Sequence, residues 1–388
     1  MASEYRPPNQ AHSEGRPAVS LLSWVPLVAG LAFTFGPIAY NYGIALYFLN
    51  YRHGFVKRGL VGELLLPFAH LSRSGLIAIQ IAFTLAAFAA TFIVLRRLIF
   101  GDPHDRILAA VLFAAPALLP HIAYLFEQPD VTLYLLLLAT LAVFLHLQPT
   151  AAAFASTAIA CIALLAHEAF SLAFYPLIVA ILWDRCRRRR MPWSLALLQV
   201  VLVALVFLAV LHFGTLKVSP NVILADAAQR TSVPLQRQVF DVIAGNYASQ
   251  RTLVASFYRA RDFQQLGLAT LFLSIPYFYM LIGLLHRAVR AIGYKLPDLA
   301  FLLLLFALPL SLCWLGHDIS RWIADCAIDA TLFLAYLSLT EPTARRSLNL
   351  WASGPQPFLW LAWELIVGPY GATSLLAAQR LSVLWSGR

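Results

Sequence analysis

Residues 185–213 read RCRRRRMPWSLALLQVVLVALVFLAVLHF. The twenty residues from Ser194 to Phe213 contain no Asp, Glu, Lys or Arg. A helix needs about 20 mainly apolar residues to cross a bilayer, so this stretch predicts a membrane span. The five arginines before it resist translocation and predict that its N-terminal end faces the cytoplasm. The same arginines suit anionic lipid head groups.

Further apolar runs lie near 21–40, 76–95, 107–125, 131–147, 151–166, 169–183, 267–285, 298–315 and 323–340. The stretch 355–378 is also apolar, but Glu364 and Gly368-Pro369 interrupt it. It reads as an eleventh span, a re-entrant hairpin or an interfacial helix. Of the 388 residues, 61% are hydrophobic and 12% charged, with a mean hydropathy of +0.75. Soluble domains carry about 45–50% apolar and about 25% charged residues. The composition therefore excludes a cytosolic enzyme, a nucleic-acid binder and a disordered chain. Continuous apolar runs, rather than alternating ones, exclude a β-barrel. The expected fold is an all-α polytopic transmembrane helix bundle of about 10–11 spans with a cytoplasmic N-terminus. Residues 1–20 form a polar cytoplasmic segment. Residues 21–340 form the transmembrane domain, with outer segments 41–75 and 214–266. Residues 341–388 form a C-terminal segment.

The net charge of +10 follows this topology. With the N-terminus inside, inner segments hold fifteen Lys and Arg residues and short outer segments hold five, which obeys the positive-inside rule. No GxxxxGK[ST] or GxGxxG motif marks a nucleotide site. The cysteines Cys161, Cys186, Cys313 and Cys326 lack metal-ligand spacing, although a Cys313–Cys326 disulfide is geometrically conceivable.

The remaining polar residues gather on the outer side. The segment NYRHGFVKRGLVGE (50–63) sets Arg52, His53, Lys57 and Arg58 among glycines. Cations there run against the topology rule, and a lipid pyrophosphate would explain them, since guanidinium grips phosphate oxygens bidentately. An anchor to outer-leaflet head groups is the alternative. The stretch GHDISRW (316–322) is followed by Asp325 and Asp329. At helical spacing Asp318, Arg321 and Asp325 share one stripe. Either Arg321 holds a phosphate, steadied by Asp318 and Asp325, or the three form a structural salt-bridge ladder. His167-Glu168 falls between two spans and reads as a general-base pair or as a helix-end pair with a satisfied histidine. No HExxH follows, so a zinc protease is unsupported. Glu127 and Asp130 flank Pro129 as a polar turn or as carboxylates of the same site. In 214–266, arginines interleave with Tyr247, Phe257 and Tyr258, a mixture that suits sugar phosphates or a solvated amphipathic loop.

The segment 51–60, His167-Glu168, the stretch Asp318 to Trp322 and the outer loop of about 50 residues resemble the O-antigen and capsular polysaccharide polymerases, the Wzy-type and EpsG-like membrane proteins. The resemblance implies a bacterial inner-membrane enzyme. It would carry out metal-independent glycosyl transfer, without a cofactor, on polyprenyl-pyrophosphate-linked glycans at the outer face. Arg52, His53, Lys57, Arg58, Arg321 and Asp325 would bind substrate. His167, Glu168, His317 and Asp318 would supply the base. Membrane lipids and polysaccharide-assembly proteins are the implied partners, and nucleic acid is not one. A second likeness is to GT-C type glycosyltransferases using polyprenyl-monophosphate sugars. Their acidic pair in the first outer loop is missing here, where only Glu63 is available. A flippase or exporter of an anionic lipid or glycan would need similar buried arginines.

Overall fold

The computed structural model describes residues 21–33, 41–68, 70–124, 130–245, 247–371 and 374–380. The expected polar segment 1–20, the end of the first apolar run and Glu127 lie outside the described residues. Among those described there is no strand, only the isolated bridges Leu71–Thr231 and Tyr370–Leu375. The chain is an all-α bundle.

The chain opens with α1 (Val25–Ala32), α2 (Asn41–Leu46) and α3 (Gly59–Leu64). Next come α4 (Arg73–Val94), α5 (Arg96–Ile99), α6 (Pro103–Ala114) and α7 (Leu119–Tyr124). The middle of the chain holds α8 (Asp130–His146), α9 (Pro149–Ala166), α10 (Phe170–Ala173), α11 (Tyr175–Arg187) and α12 (Trp193–Phe213). Three helices fill the long connection: α13 (Pro220–Gln229), α14 (Arg237–Ala244) and α15 (Tyr247–Arg259). The last five are α16 (Arg261–Ala291), α17 (Leu296–Phe306), α18 (Ile319–Thr340), α19 (Pro342–Ala352) and α20 (Gln356–Val367).

Seven helical stretches among the described residues are long and apolar enough to cross a membrane: Arg73–Val94, Pro103–Tyr124, Pro149–Ala166, Trp193–Phe213, Phe263–Ala291, Leu296–Trp314 and Ile319–Thr340. Leu21–Ala32 and Asp130–His146 are apolar but shorter. The expected span at 169–183 is broken between α10 and α11, just before Pro176, which has no amide hydrogen to give. The stretch 355–378 is not a single helix either. α20 stops after 12 residues at Gly368, whose φ of 71° suits glycine. At about 1.5 Å per residue α20 reaches about 18 Å, well short of a hydrocarbon core of about 30 Å.

Local sequence sets several boundaries. Ser72 caps α4 by accepting from the Gly75 amide, and Asp102 and Asp105 close a capping box around Pro103 at the start of α6. α12 shows how one helix sorts its faces. Ala196, Gln199, Val203 and Val210 are buried along one stripe, whereas Leu197, Leu198, Leu205 and Leu208 point outward. Gln199 donates to Ser156 Oγ of α9 at 2.9 Å, a polar tie between spans. α18 is the opposite case and is enclosed by protein along nearly its whole length. It runs from the candidate site to Glu341, about 33 Å for 22 residues.

The far end of α18 is held by the arginine-rich stretch. Arg188 bonds Asp184 at 2.8 Å and also pairs with Glu341. Arg190 reaches Glu341 at 2.6 Å, Arg187 reaches Asp298 at 3.2 Å, and Arg185 donates to the Phe144 carbonyl. The run therefore ties α8, α11, α17 and α18 together. All four cysteines are free, so the conceivable Cys313–Cys326 bridge is not formed.

Candidate functional site

The end of the bundle opposite the arginine run holds a cavity of about 190 Å³. Arg58, His167, Glu168, His317, Asp318 and Arg321 all line it, with Trp322 and the apolar Phe207 and Leu211. Three stretches far apart in sequence thus converge: the entry to α3, the exit from α9 and the entry to α18.

His167 is the residue at which α9 ends. Its backbone is extended (φ −164°, ψ 122°), so the chain leaves the helix and presents His167 and Glu168 to the cavity. Arg58 precedes α3 in a left-handed conformation, φ 65° and ψ 12°. A non-glycine residue there is strained by about 1–2 kcal/mol and needs surrounding contacts to hold it. Glu168 supplies them. Arg58 Nε donates to Oε1 at 3.1 Å and to Oε2 at 2.9 Å, and Nη2 donates to Oε1 at 2.6 Å. Lys57 Nζ lies 3.9 Å from Oε1 and is buried.

These neighbours determine the protonation states. Burial alone would raise the Glu168 carboxyl, but Arg58, which also hydrogen-bonds it, and Lys57 hold it well below the usual carboxylate range. Burial pushes His167 down to about 3, with Arg58 adding to the effect, so its imidazole is neutral near pH 7. Its Nδ1 accepts the Ala169 amide hydrogen at 3.0 Å. A neutral imidazole that accepts at Nδ1 carries its proton on Nε2. His167 therefore offers a donor rather than a base. Glu168, locked to Arg58 and strongly acidic, is equally unsuited to take a proton. Burial lowers Lys57, partly opposed by Glu168.

The other wall is built on α18. Arg321 pairs with Asp318 Oδ2 at 3.0 Å and with Asp130 Oδ2, from the start of α8, at 3.4 Å. Its guanidinium carbon stacks 4.2 Å over the Trp322 ring, the geometry of a cation–π contact. His317 Nε2 lies 3.7 Å from Asp318 Oδ1, and the two side chains are part-exposed at the cavity mouth. The His317 ring stacks on Phe257 at 4.3 Å and 17°. The Tyr258 hydroxyl donates to the Cys313 carbonyl at 3.0 Å. The connection 214–266 is thereby folded over the site, and Gln238, Val242 and Val254 complete the lining.

Not every candidate residue joins this cavity. Asp325 is buried one turn deeper on α18 and enters no ion pair among the described residues; Asp130 occupies the position beside Arg321 that helical spacing assigns to Asp325. Arg52 and His53 turn away to Asp226 of α13, each at 3.8 Å. Arg230 is buried between the Leu65 carbonyl and the Phe48 ring, so it builds the fold rather than a sugar site. Glu63 accepts the Tyr51 amide hydrogen at 2.9 Å and shapes its own loop. Asp130, one of the carboxylates the sequence offers for this site, lies beside Arg321, and Phe257 of the long connection stacks on His317, whereas no motif marks Gln238 or gives Trp322 a role. The only local signal for Gln238 is the amphipathic pattern of α14, where Val239, Phe240 and Ile243 are buried. Among the described residues no group of three or more His, Cys, Asp or Glu side chains is placed to hold a metal ion.

The cavity is electrically polarised. Among the described residues, Lys57 and Arg58 share the Glu168 carboxylate, with the neutral His167 beside them. Around Arg321 one cation meets the carboxylates of Asp130 and Asp318. An anion is favoured on the first side. A group losing a proton is favoured on the second, beside His317 and Asp318. No family model, curated protein or solved structure matches the chain.

Proposed function

We propose that this protein is a membrane-embedded glycosyltransferase of surface polysaccharide synthesis, acting on polyprenyl-pyrophosphate-linked glycans at the outer face of a bacterial inner membrane. The observation that carries the reading is the polarised cavity, with Arg58 on one wall, backed by the buried Lys57 that does not itself line the cavity, and His317-Asp318 on the other. Pyrophosphate is a good leaving group and needs charge neutralisation more than an acid. On this reading Arg58, with Lys57 behind it and the His167 Nε2–H beside it, receives the leaving oxygens. The acceptor hydroxyl lies on the opposite wall. Its oxygen bonds to the anomeric carbon as the bond from that carbon to the phosphate oxygen breaks. The bonding electrons leave with the pyrophosphate, and the hydroxyl proton passes to Asp318 or, through it, to His317.

Two further observations support an enzyme over a carrier or a user of monophosphate sugars. Below the cavity, α18 is enclosed and its far end is closed by the Asp184, Arg188 and Glu341 network, which leaves little for alternating access. Glu63, the only acid of the first outer loop, is occupied by the Tyr51 backbone instead of facing the cavity.

The test is direct. The purified full-length protein in nanodiscs is given a polyprenyl-pyrophosphate oligosaccharide, and products are separated by mass. A lengthened glycan with released polyprenyl pyrophosphate, lost in Arg58→Ala, is expected. Movement of the lipid between leaflets with no new glycosidic bond would replace this reading with the carrier.

A further inference from the structure

α15 lies against the turn that leads into α18. Residues three and four apart on a helix share a face, and α15 turns one such face to that turn while Thr252, Ser256 and Arg259 are exposed. The Arg251 guanidinium carbon lies 5.8 Å from the centre of the Trp314 ring. Val254, three residues on, is 5% exposed and lines the cavity. The Phe257 ring stacks on His317. The Tyr258 hydroxyl donates to the Cys313 carbonyl, with the Gly316 carbonyl 3.4 Å away. We infer that α15 is a lid over the cavity mouth, and that its closure sets Phe257 against His317 as the residue that positions that ring. The positioning role rests on the proposed part of His317 on the acceptor side.

The size of the cavity calls for opening. Ligand sites take about 300–1,000 Å³, whereas this cavity holds about 190 Å³. A lipid-linked pyrophosphate and a sugar acceptor need more room than the closed site gives. The walls at the entry to α3, the exit from α9 and the head of α18 are tied by the mostly buried ion pairs of Glu168 and Arg321. α15 is held to the turn by a ring stack, a hydroxyl bond and a cation–π contact at a part-exposed edge. Such a segment belongs to the low-stability end of a fold and opens first. The chain breaks at both ends of the helix. α14 stops at Ala244 with Gly245 beyond it, and Ala260 is extended (φ −70°, ψ 125°) between α15 and α16. Points of this kind absorb the backbone rotation of a hinge.

Asp318 alone does not fix the His317 ring. Its Oδ1 lies 3.7 Å from Nε2, longer than a hydrogen bond. The flat face of Phe257 supplies the missing restraint, since stacked rings hold each other's orientation. Phe263, in the first turn of α16, meets Tyr258 edge-on at 5.4 Å and His317 at 6.5 Å, which joins the closed lid to the base of its hinge. With α15 lifted, His317 loses its flat neighbour. The base is therefore in place only once the acceptor is enclosed.

The experiment uses the full-length protein in nanodiscs, with the native cysteines replaced and a single cysteine introduced as Val254→Cys. The rate of reaction with an impermeant thiol reagent reports how often the lid opens. Phe257→Leu keeps apolar bulk but loses the flat face, and Tyr258→Phe keeps the ring but loses the bond to the turn. Each should speed labelling of Val254→Cys roughly three- to tenfold, as expected for loss of one aromatic or hydrogen-bonded contact. Ile223→Cys, at a buried position on α13 in the same connection, should label at an unchanged rate. Unaltered labelling of Val254→Cys in both variants would overturn the lid, and so would equal acceleration at Ile223→Cys, which reports general loosening. Labelling needs no substrate, so this result is independent of the proposed chemistry. In the transfer assay Phe257→Leu should lower kcat and leave KM for the lipid-linked glycan near the native value, and Phe257→Tyr, which keeps the flat face, should restore kcat. Native turnover in Phe257→Leu would overturn the positioning role. Absence of transfer by the native protein would remove that role together with the proposed function, and the labelling result would still decide the lid.

Discussion

Replacing Glu168 by Gln tests whether the Arg58 clamp builds the cavity. At an effective dielectric of about 20, unit charges about 4 Å apart attract by about 4 kcal/mol. The Arg58 and Glu168 side chains are 17% and 12% exposed, so solvent screens the pair only slightly. Removing one partner of a buried pair costs about 3–5 kcal/mol, because the other charge is left uncompensated. Here Arg58 and Lys57 both lose the Glu168 charge, but the amide keeps one hydrogen bond, so a loss near about 3 kcal/mol is expected. The double variant Arg58→Gln/Glu168→Gln removes the stranded guanidinium and should recover about 2 kcal/mol of that loss. The assay is a double-mutant cycle of denaturation in mixed micelles, with glycan transfer measured on the same preparations. The double variant should be better folded than Glu168→Gln yet inactive, which separates the clamp from the chemistry. A coupling energy below about 0.5 kcal/mol, typical of an exposed ion pair, would refute the reasoning.

Polarity of the cavity makes the two arginines unequal. Arg58→Lys loses the fork that suits phosphate and should lower transfer by roughly ten- to a hundredfold, whereas Arg321→Lys, outnumbered by Asp130 and Asp318, should lower it less; equal losses at matched protein levels would argue against the assignment. His167→Gln keeps a donor nitrogen and should retain more activity than His167→Ala, with an unshifted rate profile above pH 5; loss of the acidic limb in both variants would restore His167 as the base. Glu168 has a depressed folded value, so its stabilisation is present above the ordinary carboxylate range and is lost as pH falls below it. His167 is held neutral down to about 3, so the unfolded chain takes up its proton first and stability falls as pH drops from about 6.5. Heat-inactivation midpoints should therefore decline between pH 7 and pH 4, and His167→Gln should flatten the upper part of that decline. In a cysteine-free background, an impermeant thiol reagent applied outside should label Ser232→Cys and not Ser194→Cys; the reverse pattern would invert the proposed sidedness.

The spans were legible because an apolar run of helical length has few alternatives in water or lipid. The Ser194–Phe213 run became α12 with nearly the expected ends. His167-Glu168, Lys57-Arg58 and Asp318 to Arg321 stood out for a related reason, since charge beside an apolar run demands an explanation. Pairing was not legible. Asp130 meets Arg321 across 191 positions of sequence, and nothing in the spacing of Asp318, Arg321 and Asp325 excludes Asp325 as the nearer partner. Arg52 and His53 are drawn to Asp226 only because α13 folds over the first loop. Pro176 and Gly368-Pro369 signalled interruptions, but the meeting of breaks at Pro116 and Tyr370 depends on packing that no local pattern encodes.

The polarised cavity also changes what the aspartate-rich head of α18 is for. If Arg321 were a phosphate ligand, Asp130 and Asp318 would compete with the phosphate for the same guanidinium and weaken its hold. Placed instead beside an acceptor hydroxyl, the same arrangement is useful. Arg321 fixes the Asp318 carboxyl in place, and Trp322 fixes Arg321 from behind. On the opposite wall Arg58, with Lys57 behind it, can receive negative charge as it develops without first releasing Glu168. Charges held in advance by their own ion pairs need no reorganisation when the bond breaks, and this preorganisation is what electrostatic stabilisation of a leaving group requires. The strained left-handed backbone at Arg58 fits the same requirement, since the bidentate bond to Glu168 keeps it in a conformation that a solvated arginine would abandon.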